Sequence, residues 1–183
     1  MTTTTEKLWA VAQKRDWTNI TPELTSGRTT TPAADWQENY QGWTFVDGQP
    51  SSGTQTVSYH FWTGQPTYDV SWTYDAADNT YKRTNGGSPA TDLETGEQIA
   101  VTSVVVMFVK ETGPINENRH MLYDVIGKGD AILFANGQAE DIRWEKKTRE
   151  SELEFTDSKG QDIALPRGKV WISVLPIGNQ VTY

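Results

Sequence analysis

Beyond Gly42 the chain alternates apolar and polar positions with a period of two, the mark of half-buried β-strands. Across residues 56–62, Val57, Tyr59 and Phe61 fall on one face, and His60 and Trp62 on the other. Val70, Trp72 and Tyr74 alternate with Asp69, Ser71, Thr73 and Asp75. Residues 76–79 (Ala-Ala-Asp-Asn) then turn the chain, and Tyr81 and Arg83 return on one face of a second strand. The stretch predicts a hairpin with Val70, Trp72 and Tyr74 packed inward. Residues 101–109 show no alternation, which predicts a strand covered on both faces. Residues 131–135, the pair Asn136-Gly137 and residues 138–146 predict another hairpin, because Asn-Gly tolerates the positive φ values of a type I′ turn. Residues 169–175 predict a last strand, closed by Pro176, which has no N–H to give a ladder.

The first 41 residues follow a different pattern. Residues 1–17 predict a short helix: Thr3 and Glu6 have capping-box spacing, and Leu8, Val11, Ala12 and Arg15 follow at i, i+3, i+4 and i+7. A helix this short is marginal alone. Residues 18–41 shift to Thr, Pro, Ser and Gly and predict an irregular connection. The β-rich domain is expected over 42–183. The fold class is mainly β: an antiparallel, sandwich-like or barrel-like domain with a short N-terminal helix.

One internal echo is present. TDLETGEQIA from Thr91 and TDSKGQDIALP from Thr156 share Thr-Asp, a turn glycine and Ile-Ala, and a β-rich run follows each. Common turn chemistry explains both, with Asp bonding its own backbone and Gly supplying φ > 0. A duplication is the alternative.

Composition narrows the chemistry. With no cysteine there is no disulfide, thiolate nucleophile or zinc–thiolate site. The net charge of −8, from 24 acidic and 16 basic residues, argues against nucleic acid and anionic membrane surfaces as partners. The apolar run at 104–109 is too short to cross a bilayer, and the opening MTTTT is not a signal peptide. That leaves a cytoplasmic protein or a piece of a longer chain.

No motif announces catalysis. His60 and His120 lack metal-ligand spacing, and Asp75, Asp78 and Asn79 read as an Asx turn rather than a calcium loop. Ser58 and His60 share a strand face without a nucleophile elbow. The Gly-Lys-Gly of residues 126–130 lacks Walker spacing and reads as a tight turn, and the basic cluster at 143–150 is interrupted by carboxylates. No cofactor and no metal are expected. Of the eight tryptophans, Trp72, Trp144 and Trp171 read as core. Trp36, Tyr40 and Trp43 lie in or beside the irregular segment, and Trp62 shares a face with His60, so Trp36, Trp43 and Trp62 are the candidate stacking surfaces. Arg83, expected at the sheet surface near Gly86-Gly87, joins Tyr81 and Asp92 as a candidate ligand contact.

The order of motifs carries a resemblance. V-x-W-x-Y-D (70–75), Y-x-R (81–83), G-G-x-P with Asp92, T-G-E-Q (95–98), VVV (104–106), D-x-I-G-x-G (124–129), F-x-N-G (134–137), W-x-K (144–146) and L-P-x-G-x-x-W-I (165–172) follow one another. This series resembles the C-terminal domain of the YerB-like family, bacterial proteins described as lipoproteins and of unknown function. The opening TTTTEKLW resembles the helix that ends that family's N-terminal domain. The resemblance implies that residues 1–17 close a preceding domain, that a signal peptide and lipid anchor lie upstream, and that the protein works outside the cytoplasmic membrane. Membrane attachment would then come only through that upstream anchor. Two positions depart from the family: Ala90 stands where a histidine is frequent and Ser103 where an asparagine is common.

Two functions follow. One is a non-catalytic interaction module of the cell envelope, with a protein partner or a cell-wall glycan as ligand. The other is a cell-wall polymer hydrolase using paired carboxylates, for which Asp92, Asp124 and Asp130 sit beside glycines.

Overall fold

The computed structural model describes residues 4–18, 20, 23–26, 28–33, 35 and 42–183. It divides into two units, residues 1–42 and 43–183. In the first, α1 spans Thr5–Lys14. Its N-cap is Thr4, one residue beyond the Thr3 that the capping-box spacing indicates, and the Thr4 hydroxyl accepts from the Lys7 N–H at 3.4 Å. Within 18–41, expected to be irregular, β1 (Leu24–Ser26) pairs antiparallel with β2 (Thr29–Thr31). The threonines that suggested a loop are β-branched and favour extended backbone.

The second unit carries the remaining strands. They begin with β3 (Phe45–Val46), β4 (Thr56–Tyr59), β5 (Val70–Asp75), β6 (Thr80–Asn85), β7 (Ser88–Pro89) and β8 (Ala100–Val101). Next come β9 (Ser103–Val109), β10 (Glu111–Thr112), β11 (Leu122–Tyr123), β12 (Gly127–Ala135) and β13 (Gln138–Lys146). The chain ends with β14 (Glu154–Thr156), β15 (Leu165–Pro166), β16 (Val170–Pro176) and β17 (Val181–Thr182). One sheet runs β17-β4-β5-β6-β7, with β8 also on β6; the other runs β14-β13-β12-β9-β16. Both are open, so the fold is a sandwich and not a barrel.

The core lies between the sheets. Val57, Tyr59, Val70, Trp72, Tyr74 and Tyr81 from the first sheet meet Val104, Val106, Phe134 and Leu175 from the second. On the far face of the second sheet Val105, Met107, Ala131, Leu133, Trp144 and Phe155 cluster with Leu165 of β15. Alternate residues of β9 thus enter opposite clusters, which is why its sequence shows no polar face. Parallel pairing with β16 covers one edge of β9 and antiparallel pairing with β12 the other.

The sequence pattern missed three local features. The run 101–109 breaks at Thr102, where the chain passes from β8 in one sheet to β9 in the other. Thr102 is held there by its N–H and hydroxyl, both donating to the Lys169 carbonyl at 2.9 Å. Gly127 and Gly129 form no turn but lie inside β12. A Cβ on Gly129 would sit 2.7 Å from the Trp144 indole nitrogen, so the glycine makes room for that ring across the ladder. The strand at 170–176 is followed by β17, which returns to pair with β4.

The echoed segments are matching loops. Thr91 bridges Gln98 and Thr156 bridges Asp162. Asp92 accepts from the N–H groups of Glu94 and Thr95, and Asp157 from those of Lys159 and Gln161. Gly96 and Gly160 take φ of 72° and 77°. Turn chemistry accounts for each loop.

Candidate functional site

The aromatic hairpin places Arg83 at the rim of the core. In the β5–β6 register Arg83 lies opposite Trp72, so its side chain enters the space between the sheets with that indole. There Trp171 of the facing sheet meets it. The guanidinium carbon is 4.8 Å from the Trp171 ring centroid and 5.8 Å from that of Trp72, and the two indoles meet edge-on at 5.5 Å. A guanidinium is planar and weakly hydrated, which suits it to such stacking.

Beneath lies a buried polar relay. The Trp72 indole donates to the Tyr59 hydroxyl at 3.1 Å, and that hydroxyl is 2.5 Å from Ser173 Oγ. Burial raises the Tyr59 phenol above its ordinary value, so the relay is neutral. Burial also lowers Arg83, since desolvation disfavours the charged form.

Arg83 forms no ion pair with a carboxylate among the described residues. Its Nη2 donates to Asn85 Oδ1 at 2.9 Å, and its buried Nε has no acceptor. Above it a hollow of about 410 Å³ opens between Phe61, Trp62, Tyr68, Tyr123 and Val174. Trp62 and Tyr68 meet edge-on at 5.0 Å and both are exposed.

The wall is fixed by polar contacts at its back. β4 ends at Tyr59, so Trp62 stands on a loop and not on the strand face that the alternation predicts. Asn179 donates to the His60 carbonyl at 2.8 Å, His60 Nδ1 lies 2.7 Å from Asp69, and Asn85 Nδ2 donates to the Thr67 carbonyl at 2.8 Å. A Cβ on Gly86 would sit 2.9 Å from that same carbonyl. The Gly86-Gly87 turn therefore has to be glycine at its first position to clasp the loop bearing Tyr68. On the far wall, burial first, and then the neighbouring Glu111 carboxylate, push the Tyr123 phenol up to about 12; Glu111 Oε2 is itself buried without a hydrogen-bond partner.

Of the residues singled out from sequence, Arg83 and Trp62 come together in this hollow. Tyr81 shares the β6 face with Arg83 but is fully buried, its hydroxyl accepting the Gly137 N–H at 3.1 Å. Trp43 is half-buried, donates to the Leu153 carbonyl at 2.6 Å and packs on Phe155. Asp92 is a loop cap, and neighbouring N–H groups hold its carboxyl below the ordinary value. Trp36 and Tyr40 lie outside the described residues. Asp124 and Asp130 sit on separate elements from Asp92. Asp130 is ion-paired to Arg143 in a different hollow of about 540 Å³ that also holds Asp141. Among the described residues no cluster of three His, Asp or Glu could hold a metal.

Sequence reasoning missed Phe61, Tyr68, Tyr123, Asn85 and Val174 as wall residues. Only Tyr68 carried a signal, as an aromatic just outside the strand alternation.

The chain belongs to the family described as "Protein of unknown function (DUF3048) C-terminal domain", whose model matches residues 57–172. It is 26% identical over 132 residues to the Bacillus subtilis (strain 168) protein named "Putative lipoprotein YerB", a match covering 71% of this chain and 38% of that protein. It resembles the crystal structure of YerB from Bacillus subtilis with a TM-score of 0.68 and 17% identity, over 99% of this chain and 55% of that one. The chain thus spans only part of the length of these relatives. No helix among the described residues is long and apolar enough to cross a membrane.

Proposed function

We propose that this family member is a non-catalytic interaction module of a cell-envelope protein, receiving its ligand in the hollow over Arg83. One observation carries the reading: a half-buried guanidinium, clamped by two indoles and free of any carboxylate among the described residues, faces an exposed aromatic wall. A half-buried charge without a counter-charge is costly unless a ligand supplies the partner. The envelope location rests on the lipoprotein name of the Bacillus relative.

The test is co-sedimentation of the 183-residue chain with isolated bacterial sacculi at low and moderate salt, with the supernatant assayed for released fragments. Binding lost in Trp62→Ala and Arg83→Gln supports a cell-wall ligand at this hollow. Binding with fragment release would instead support a polymer hydrolase, and the Asp130–Asp141 hollow would be the place to mutate. A chain that stays in the supernatant removes cell-wall ligands and leaves an envelope protein partner.

A further inference from the structure

We infer that the hollow receives the C-terminal residue of a partner polypeptide, its apolar side chain against the aromatic wall and its carboxylate on Arg83. This rests on the interaction-module reading and names the ligand class.

The charge comes first. Arg83 has five N–H donors, of which one is matched to Asn85 and the Nε is buried without an acceptor. Stacking on Trp171 and Trp72 fixes the plane of the fork. A carboxylate meets such a fork with two parallel hydrogen bonds. Among the described residues no carboxylate is ion-paired with Arg83.

The wall sets what surrounds that anion. Asn85 spends its oxygen on Arg83 and its nitrogen on Thr67. Phe61 and Val174 are apolar, and Trp62 and Tyr68 present aromatic rings with their N–H and O–H at the ring edge. The ligand that matches joins one anion to an apolar body.

Size and net charge complete the choice. A space of about 410 Å³ has room for a carboxylate and an apolar side chain side by side, with the preceding residue next to them. An internal Asp or Glu has the charge without the apolar body, whereas an apolar C-terminal residue has both. A polyanionic segment would be repelled by a chain of net charge −8; a single terminal carboxylate is not.

The test is titration of the 183-residue chain, followed by tryptophan fluorescence and calorimetry, with acetyl-Gly-Gly-Leu-Leu as the free acid, its C-terminal amide, and acetyl-Gly-Gly-Ser-Ser as the free acid. The apolar acid is expected to bind on the order of tenfold more tightly than its amide, the usual worth of a charge-assisted hydrogen-bonded pair. Arg83→Gln should abolish that acid–amide difference, Arg83→Lys should keep part of it, and Trp62→Ala should weaken both Leu peptides. If Arg83→Gln does not fold, judged by its melting curve, the acid–amide comparison on the unaltered chain decides. Equal binding of acid and amide, or of the Ser-ended and Leu-ended acids, overturns the inference while leaving a ligand hollow. If no peptide binds at roughly millimolar concentration but sacculi retain the domain through Trp62, the terminal-residue inference falls and the module reading stands. If neither binds, the terminal-residue inference and the cell-wall form of the module reading fall together, and an envelope protein partner that does not insert a chain terminus is left.

Discussion

Tyr59 and Ser173, 114 positions apart in sequence, join their hydroxyls at 2.5 Å inside the sandwich, one from each sheet. Ser173 is 4% exposed and Tyr59 1%, so no bulk water competes for the bond. The Trp72 indole N–H depends on the same phenol oxygen. Removing that oxygen would leave both an indole N–H and a serine hydroxyl buried and unpaired. Tyr59→Phe is expected to cost about 1–3 kcal/mol, more than Ser173→Ala, which leaves the phenol still bonded to Trp72. Urea denaturation of the two single variants and the double variant checks this. Additive losses would mean the relay is not coupled.

Gly137 and Gly160 both adopt positive φ, 72° and 77°, but only Gly137 is hemmed in. A Cβ there would lie 2.6 Å from Tyr74 Cε1 and 2.7 Å from the Ser51 carbonyl, whereas at Gly160 nothing lies within 4 Å. Gly160→Ala should therefore cost only the backbone strain, about 1 kcal/mol, and Gly137→Ala roughly 2–4 kcal/mol with the clash added. Equal melting temperatures for the two variants would contradict the packing seen around the β12–β13 turn.

Acid should unfold the loops that the aspartates cap. Hydrogen bonds from the Thr95 and Gln161 N–H groups hold the Asp92 and Asp157 carboxyls below their ordinary 3.8. A carboxylate depressed in the folded state stabilises fully above its unfolded value and loses that contribution as pH falls through the folded one. The stability advantage of the native chain over Asp92→Asn and Asp157→Asn should hold at neutral pH and shrink below pH 3.8. Melting curves across that range measure it; a gap unchanged by pH would rule the effect out.

Alkali should act through the phenols. Burial raises Tyr59 and Tyr81, and Tyr123 reaches about 12. A raised phenol stabilises below its ordinary 10.0 and loses that contribution as pH climbs through the folded value. Of the seven tyrosines, the buried ones should ionise only as circular dichroism is lost. If every phenol ionised near pH 10 with the dichroism intact, their burial would be disproved.

Features that depend on neighbours along the chain were legible before any fold was known. Period-two alternation marked β5 and β6 and the inward Val70, Trp72 and Tyr74, because successive side chains in a strand must point to opposite faces. Asn136-Gly137 marked the β12–β13 turn, whose φ of 54° and 72° few other pairs tolerate. The absence of alternation over residues 101–109 marked a strand buried on both sides, which the structure forms over Ser103–Val109. The ordered motifs marked the family. Tertiary structure alone decided the break at Thr102, the return of β17 to β4, and the entry of Gly129 into a strand, since each answers to a partner far away in sequence: Lys169, Tyr59 and Trp144. The hollow is of the same kind. Arg83 and Trp62 could be picked out as residues, but the stacking of Arg83 on Trp171 and the wall of Tyr68, Tyr123 and Val174 are assembled from both sheets and two loops. No periodicity records which side chains from separate segments will share one space, because that is set by how the sheets pack.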